Sequence, residues 1–264
     1  MIRTITEDVE QHRDPHTYWP EHPLDQLKHS APRIFTSLYL GAAGVLWALN
    51  YLHNAGAISL SIDPAALMPS VHDTYIKSPD TDQVAPSYFL GEVGIALIRW
   101  RLTPDESTAQ RIFDQVKANL SNPANEAFWA ALGTMLAALW MTRWTGESRW
   151  IELYRLNAEY LWQEWHYDPK WDCYLWTQDL YNSINRWTGP AHGYAGSLYA
   201  LLQGVEWLPA EQQNELYKRA AQLVIQTARV KENTANWHPK VRRYWRVNRM
   251  GVTGLALLWG KPLK

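Results

Sequence analysis

Cysteine is nearly missing from this 264-residue chain. Its single cysteine, Cys173, excludes a disulfide bond within the chain. One cysteine also excludes any zinc site that takes two or more thiolate ligands from this chain alone. A disulfide-stabilised scaffold and a multi-cysteine zinc fold are therefore ruled out.

An excess of one charge sign and long apolar runs are missing as well. The formal net charge is −1 at pH 7, so no positive field attracts nucleic acid or anionic lipid. No run of about 18 consecutive apolar residues, the length that spans a bilayer, occurs in the sequence. The first ten residues hold no uncharged apolar segment of the kind that secretory signal peptides contain. We expect a soluble, cytoplasmic protein that binds neither nucleic acid nor membranes.

Phenylalanine is scarce, whereas aromatic residues with a polar group are abundant: there are 4 Phe against 16 Trp and 14 Tyr. Such rings either line a cavity that binds sugars or peptides, or fill wide gaps between helices while their N–H and O–H groups reach helix ends. Packing is the default role of buried aromatic residues, and we expect it for most of these rings.

The most informative feature is a recurring segment that carries two glycines three residues apart. The third copy keeps only its second glycine. The spacing between copies accommodates one helical hairpin with a variable loop. The copies are Ser37-Leu-Tyr-Leu-Gly41-Ala-Ala-Gly44, Ser87-Tyr-Phe-Leu-Gly91-Glu-Val-Gly94, Phe128-Trp-Ala-Ala-Leu-Gly133, Gly193-Tyr-Ala-Gly196 and Gly251-Val-Thr-Gly254.

Each glycine pair is predicted to open a helix. Without a Cβ atom, another backbone or a ligand can approach the unpaired N–H groups of the first turn. Close packing of protein segments explains a single copy adequately. Five copies in similar apolar contexts indicate a set of helix starts that converge on one end of a bundle or ring.

The segments between the glycine pairs show helical periodicity. The only stretch that suggests a strand is residues 173–178, for which we predict a short ribbon. Residues 59–86 contain several prolines and predict a long loop with an irregular helix. The fold class is therefore predicted to be all-α. Apolar stripes occur at Trp150, Tyr154, Ala158, Leu161 and Trp165, and after Pro209 at Leu216, Ala220 and Leu223.

The chain is predicted to form one domain over residues 1–264. Residues 1–34 form an N-terminal extension, and residues 233–264 form a divergent C-terminal segment. Within that segment, residues 233–250 are basic and aromatic without an amphipathic stripe, which indicates a surface loop or a disturbed sequence. In a neutral chain, this stretch alone does not predict binding to single-stranded nucleic acid.

The stretch Gly189-Pro-Ala-His192-Gly193-Tyr-Ala-Gly196 resembles the Gly-x-x-His-Gly-x-x-Gly motif of the lanthionine synthetase C-like (LanC-like) cyclase family. The similarity extends to the first three glycine segments and covers about residues 35 to 235. The motif around His192 is specific, whereas an isolated Gly-x-x-Gly pair is not.

The resemblance implies an α/α toroid related to the six-hairpin glycosidases, in which inner helices begin at the glycines. It also implies a zinc ion, held by two cysteines and a histidine, that binds a cysteine thiolate of a substrate peptide. The thiolate adds to dehydroalanine or dehydrobutyrine, and eukaryotic relatives add glutathione instead. His192 is then the catalytic residue that handles the proton at the enolate carbon. The glycines placed around the centre of the ring are Gly41, Gly44, Gly91, Gly94, Gly133, Gly193 and Gly196.

The zinc ligands of the family have no counterpart in this sequence. Aligning Gly251-Val-Thr-Gly254 with the family's Trp-Cys-x-Gly-x-x-Gly segment puts Arg249 and Met250 where the cysteine and its neighbour stand. The family's later Cys-His pair is not found before Lys264. Cys173 matches no ligand motif and is predicted to be a buried small apolar residue. We expect no cofactor in this chain, and a cyclase that is impaired or inactive.

The five glycine segments also fall short of the seven hairpins that build a complete family ring. An incomplete ring of about five hairpins exposes apolar faces, which favours self-association. The change in composition after about Trp237 fits a C-terminal truncation or a shift of reading frame.

Three functions therefore remain open. The first is a LanC-like protein that binds a peptide or a thiol compound, with or without activity. The second is a carbohydrate-active toroid, a glycosidase or epimerase, with Trp176 or Trp187 as a sugar platform and Asp179 or Glu126 as acid or base. The third is a non-catalytic scaffold whose open ring binds another protein.

Overall fold

The computed structural model describes residues 2–19, 21, 24 and 33–241. Within them the structure is rich in α-helix and contains three two-stranded antiparallel sheets. The helices are α1 (Ile2–Gln11), α2 (Ala42–Asn54), α3 (Pro64–Lys77), α4 (Glu92–Leu102), α5 (Glu106–Ala118), α6 (Ala131–Thr145), α7 (Ser148–Gln163), α8 (Tyr194–Gln203) and α9 (Ala210–Thr227). The strands are β1 (His166–Asp168), β2 (Cys173–Leu175), β3 (Gln178–Leu180), β4 (Ser183–Asn185), β5 (Ala228–Lys231) and β6 (Thr234–Trp237).

The helices from α2 to α7 alternate between two layers. Helices α2, α4, α6 and α8 each follow a glycine segment, and each contacts the next in this series. Helix α3 packs against both α2 and α4, and α5 packs against both α4 and α6. The glycine-headed helices therefore form one layer and the intervening helices another, with buried apolar side chains between them.

The two predicted apolar stripes are confirmed. On α7, Trp150, Tyr154 and Leu161 are completely buried, and on α9, Leu216 and Leu223 are buried. Both helices bury one side and expose charged residues on the other, as the 3.6-residue period requires.

The helix predicted within the long segment at residues 59–86 is present as α3, which takes up 14 of its residues and has Pro69 inside it. Asp63 caps this helix, because its carboxylate accepts a hydrogen bond from the Ala65 N–H at 2.9 Å. Pro64 occupies the first helical position, where a missing N–H costs nothing. This Asp-Pro start sets the beginning of the helix, and Met68 and Tyr75 are buried along it.

Several short elements were not predicted. Helix α1 lies in the predicted N-terminal extension, and three hairpins join β1 to β2, β3 to β4 and β5 to β6. The ribbon predicted for residues 173–178 is present as β2 and the start of β3. Strands of three or four residues are too short to give a clear period-two pattern. The predicted helix start at Gly251-Val-Thr-Gly254 and the basic residues 242–250 lie outside the described residues.

No helix in the described part of the chain combines the length and apolarity that a membrane crossing needs.

Aromatic residues pack between the helices as expected. The Trp176 indole N–H donates to the Leu161 carbonyl at 2.8 Å. The Tyr154 hydroxyl lies 3.0 Å from the carbonyl oxygens of both Ala200 and Leu201, near the end of α8. These rings therefore join neighbouring elements while their polar atoms satisfy backbone groups.

The second glycine of every described glycine segment has no room for a side chain. If a Cβ atom were added at each of these positions, it would lie closer than 3.0 Å to the carbonyl oxygen of the residue six positions earlier. The loop before each helix therefore folds back over the first helical turn. The pairs are Gly44 with Leu38, Gly94 with Tyr88, Gly133 with Ala127 and Gly196 with Pro190.

The same loops occupy the first N–H groups of the helices. In three of the four segments, the N–H group of the first helical residue donates to the carbonyl of the residue seven positions earlier. The glycines therefore admit protein backbone, which is one of the two roles that the sequence left open. These bonds run from Ala42 to Phe35 at 3.0 Å, from Glu92 to Ala85 at 2.9 Å and from Tyr194 to Trp187 at 3.0 Å.

These glycines also allow consecutive segments to touch. A Cβ atom added to Gly94, Gly133 or Gly196 would lie 3.1 to 3.3 Å from the Cβ atom of a residue in the preceding segment. The three neighbours occupy the same register in their own segments, six residues before the second glycine. They are Leu38, Tyr88 and Ala127, respectively.

We expect Gly196→Ala to lower the free energy of unfolding by about 1–3 kcal/mol, the usual range for an overpacked site. The added methyl group overlaps the Pro190 carbonyl and presses on Ala127. Urea denaturation followed by circular dichroism measures the change. Gly189→Ala is the matched control, because no atom outside the neighbouring residues lies within 4 Å of its Cβ position. Equal stability of the two variants would contradict this interpretation.

Candidate functional site

The loops that precede α2, α4, α6 and α8 meet at one end of the glycine-headed layer. Hydrogen bonds connect each loop to the next, so the four helix starts form a continuous row. The donors and acceptors are the Tyr39 N–H and the Phe89 carbonyl (2.9 Å), the Ser87 hydroxyl and the Phe128 carbonyl, and the Ala127 N–H and the Ala191 carbonyl (3.2 Å).

We number these loops one to four in chain order. Glu126 occupies the capping position of the third loop, which precedes α6. It stands seven residues before Gly133, as Ser87 stands seven residues before Gly94. The Ser87 hydroxyl accepts a hydrogen bond from the Leu90 N–H at 2.9 Å. The Glu126 carboxylate accepts from the N–H groups of the second and third residues after it, Phe128 at 3.0 Å and Trp129. A glutamate therefore holds this loop where the preceding segment uses a serine.

The same carboxylate binds His192. The Glu126 Oε2 atom lies 2.7 Å from the His192 Nδ1 atom. The glutamate side chain is completely buried, whereas 34% of the histidine side chain is exposed. The structure thus joins a buried carboxylate in the third loop to a partly exposed imidazole in the fourth.

The contact fixes the chemistry of the imidazole ring. A carboxylate that already accepts two backbone N–H bonds acts as an acceptor toward Nδ1, so Nδ1 carries the hydrogen in the neutral ring. Nε2 has no hydrogen-bond partner among the described residues and is left to accept or donate a proton. This is the arrangement of a general base whose tautomer is set by a buried carboxylate.

Burial dominates the electrostatics of Glu126. It raises the pKa of the carboxyl group, although the N–H groups of Trp129 and Phe128 and the His192 ring act in the opposite direction. The Nε2 atom, on the other side of the ring from Glu126, is the position at which His192 can exchange a proton.

Aromatic rings border His192 on two sides. The Phe128 ring centroid lies 5.2 Å from that of the imidazole, and the Tyr181 ring meets it edge-on at 6.0 Å. Phe128 in turn contacts Tyr39 at 4.9 Å and Phe89 at 5.0 Å. His192 is therefore bordered by aromatic rings from the first three loops and from the β3–β4 hairpin.

A second buried Glu–His pair has a different character. The His72 Nε2 atom lies 2.8 Å from Glu92 Oε1, and Glu92 also accepts hydrogen bonds from Arg111 and Gln115. Burial raises the pKa of Glu92, but the hydrogen bonds from His72 and Arg111 exceed this effect and bring it below its ordinary value. Both His72 and Glu92 are buried. This pair, which sequence reasoning missed, stabilises the packing of α3, α4 and α5.

The residues proposed for sugar chemistry do not form a site together. Trp176 is 1% exposed and stacks on Trp165 at 4.3 Å, so it offers no open face to a sugar. Trp187 is half-buried, with the Lys240 ammonium group 3.7 Å from its ring centroid. Asp179 is exposed in β3. The backbone N–H of Asp179 forms a hydrogen bond with the third loop, and its carboxylate does not.

The zinc ligand set implied by the family resemblance does not fit the residues around His192. Cys173 is buried in β2, and burial together with Asp168 and Asp172 raises the pKa of its thiol to about 12. A thiol in this state is a poor metal ligand. Over residues 33–241 and the described N-terminal residues, no three His, Cys, Asp or Glu side chains are grouped to hold a metal ion.

Comparisons with known proteins identify no family. No family model matches the chain, and no curated protein shows significant similarity to it. The geometry around His192 is therefore the main basis for a functional proposal.

We expect Glu126→Ala to change the tautomer of His192. Without the carboxylate, the neutral ring no longer has an acceptor at Nδ1 and shifts toward the Nε2–H form that free imidazole prefers. Nitrogen-15 NMR of the histidine rings distinguishes the two forms.

His72 provides an internal control in the same spectra. Its Nε2 atom faces Glu92 and its Nδ1 atom lies 3.3 Å from the Arg99 guanidinium, which can only donate. His72 should therefore keep its Nε2–H form in both proteins. An Nδ1–H signal for His192 that survives in Glu126→Ala would contradict the assignment.

Proposed function

We propose that this chain is a LanC-like protein that adds a thiol to a dehydroamino acid residue of a peptide. In this proposal the Glu126–His192 pair transfers the proton. The main support is the 2.7 Å contact that sets the Nδ1–H form of His192 within the Gly-x-x-His-Gly-x-x-Gly segment. The partners of the chain are then a peptide and a thiol compound.

The reaction needs no net proton from outside. Nε2 of His192 takes the proton of the thiol, and the thiolate attacks the β-carbon of the dehydroamino acid. The electrons of the carbon–carbon double bond move toward the amide oxygen and give an enolate. The imidazolium then returns the proton to the α-carbon. Glu126 stabilises the imidazolium between the two transfers.

The proposed activity is slow compared with that of a zinc-dependent cyclase. A free thiol has a pKa of about 8.5, so only a few per cent is thiolate at neutral pH. Zinc lowers the pKa of a bound thiol, and the residues around His192 do not supply its ligands. Deprotonation by His192 replaces that effect only in part, so an impaired enzyme is proposed and no cofactor is assigned.

We also propose that the two helical layers form part of an α/α toroid, with the glycine-headed helices inside. The row of connected loops supports this arrangement, because such a row places all helix starts at one end. Residues 1–264 then form one cytoplasmic domain. Its site, the Glu126–His192 pair, lies on the row of four loops that precede α2, α4, α6 and α8, which we call the loop row.

The alternative functions have less support. The Glu126 oxygens accept hydrogen bonds from Phe128, Trp129 and His192, so Glu126 has no free carboxyl group for a glycosidase mechanism. A non-catalytic scaffold is favoured by one observation. Trp47 and Tyr51 stack on the exposed face of α2, where they offer an apolar surface to another protein or a second copy.

An addition assay tests the proposed function. The full chain is mixed with glutathione and a peptide that contains dehydroalanine, and mass spectrometry follows the adduct. We expect a rate above the uncatalysed one that falls by about 10²- to 10⁴-fold in His192→Gln, the range for loss of a general acid–base. A chelator should not change the rate of the wild-type protein.

The matched control for this assay is His12→Gln. His12, the residue directly after α1, also lies next to a carboxylate, Asp8, but both side chains are exposed. Its loss should leave the rate unchanged. A wild-type rate equal to the uncatalysed rate, or equal activity of His192→Gln and wild type, would refute the proposed function.

A further inference from the structure

Tyr181 stands in an unusual backbone position at the tip of the β3–β4 hairpin. Leu180 pairs with Ser183, so Tyr181 and Asn182 form a two-residue turn, and both have φ of +55°. Such turns favour Asn and Gly, and a bulky residue with positive φ costs on the order of 1 kcal/mol or more. Tyr181 is also 69% exposed. Burial of the ring therefore does not offset this cost.

The Tyr181 hydroxyl is held by the third loop. The Trp129 indole N–H donates a hydrogen bond to it at 3.1 Å. The hairpin is joined to the same loop by the Asp179 N–H, which donates to the Pro123 carbonyl at 3.0 Å. The Asn125 side chain donates to the carbonyl of Thr177, the residue just before the hairpin, at 3.2 Å. These bonds connect the phenol and its hairpin to the loop that carries Glu126.

The phenolic hydrogen remains available. Because the oxygen accepts the bond from Trp129, the O–H is left to donate, and within residues 33–241 no acceptor takes it. The ring lies edge-on to His192 at 6.0 Å, with an interplanar angle of 79°. A phenolic hydrogen-bond donor thus lies on a residue whose ring contacts the partly exposed imidazole of His192.

We propose that Tyr181 is a further catalytic residue that stabilises the enolate oxygen formed during the addition, an inference that rests on the proposed function. As the thiolate attacks, negative charge grows on the amide oxygen of the dehydroamino acid. The Tyr181 O–H donates a hydrogen bond to that oxygen, while His192 returns the proton to the α-carbon. Tyr181 keeps its own proton throughout.

A donor of this kind acts mainly on the transition state. The neutral amide oxygen of the substrate accepts a weaker hydrogen bond than the enolate oxygen, so removal of the donor lowers kcat more than it changes KM. The hydrogen bond that holds the phenol adds to the effect, because less reorganisation is needed when the charge develops.

Tyr181→Phe tests this inference in the glutathione addition assay. The variant keeps the ring beside His192 and removes only the hydroxyl. We expect kcat to fall by about 10²-fold, the lower range for loss of one such donor, and KM to stay within about twofold. Circular dichroism checks that the fold is unchanged.

Tyr167→Phe is the matched control. Tyr167 is an exposed tyrosine in β1, and its hydroxyl donates to Asp172 at 2.8 Å, away from the loop row. Its loss should leave kcat unchanged. If the wild type is active and depends on His192, an unchanged kcat in Tyr181→Phe overturns the role of Tyr181 alone. If the wild type is inactive, the proposed function fails and this inference fails with it.

Discussion

The close approach of a loop to the second glycine of each helix start is the constraint on which the structure depends. At Gly94, Gly133 and Gly196 a carbonyl of the preceding loop occupies the space of a side chain, and a residue of the previous segment touches the same spot. One small residue therefore sets both the fold of its own loop and the contact with its neighbour. Repetition of this contact aligns the four described helix starts in one row.

The candidate site follows from small changes within this repeated frame. The capping position is Ser87 in the second segment and Glu126 in the third. The third segment therefore caps its loop with a buried carboxylate, whereas the second uses a hydroxyl group. The position of Leu90 is taken by His192 in the fourth segment. Because neighbouring loops touch, these two changes bring a carboxylate and an imidazole within hydrogen-bond distance. The proposed proton-transfer pair therefore arises from two substitutions within a structural repeat.

Local patterns in the sequence predicted the helix-rich fold, the described helix starts and the stripes on α7 and α9, because each depends on residues a few positions apart. A helix was expected within residues 59–86, but the prolines hid its bounds, which the Asp63 cap sets. The contact of Glu126 with His192 joins residues 66 positions apart, and no local pattern links them. The register of the repeat does hold a signal, since Glu126 stands seven residues before Gly133, where the earlier segments have a capping serine.

The most direct test of this account is the tautomer of His192, measured by nitrogen-15 NMR, when the packing of the loops is disturbed. In folded Gly196→Ala, the displaced fourth loop should carry His192 away from Glu126, and the Nδ1–H signal should weaken. In Gly189→Ala, where the added methyl group meets open space, the signal should match that of the wild type. An unchanged Nδ1–H signal in both variants would show that the contact between Glu126 and His192 does not depend on the glycine contacts.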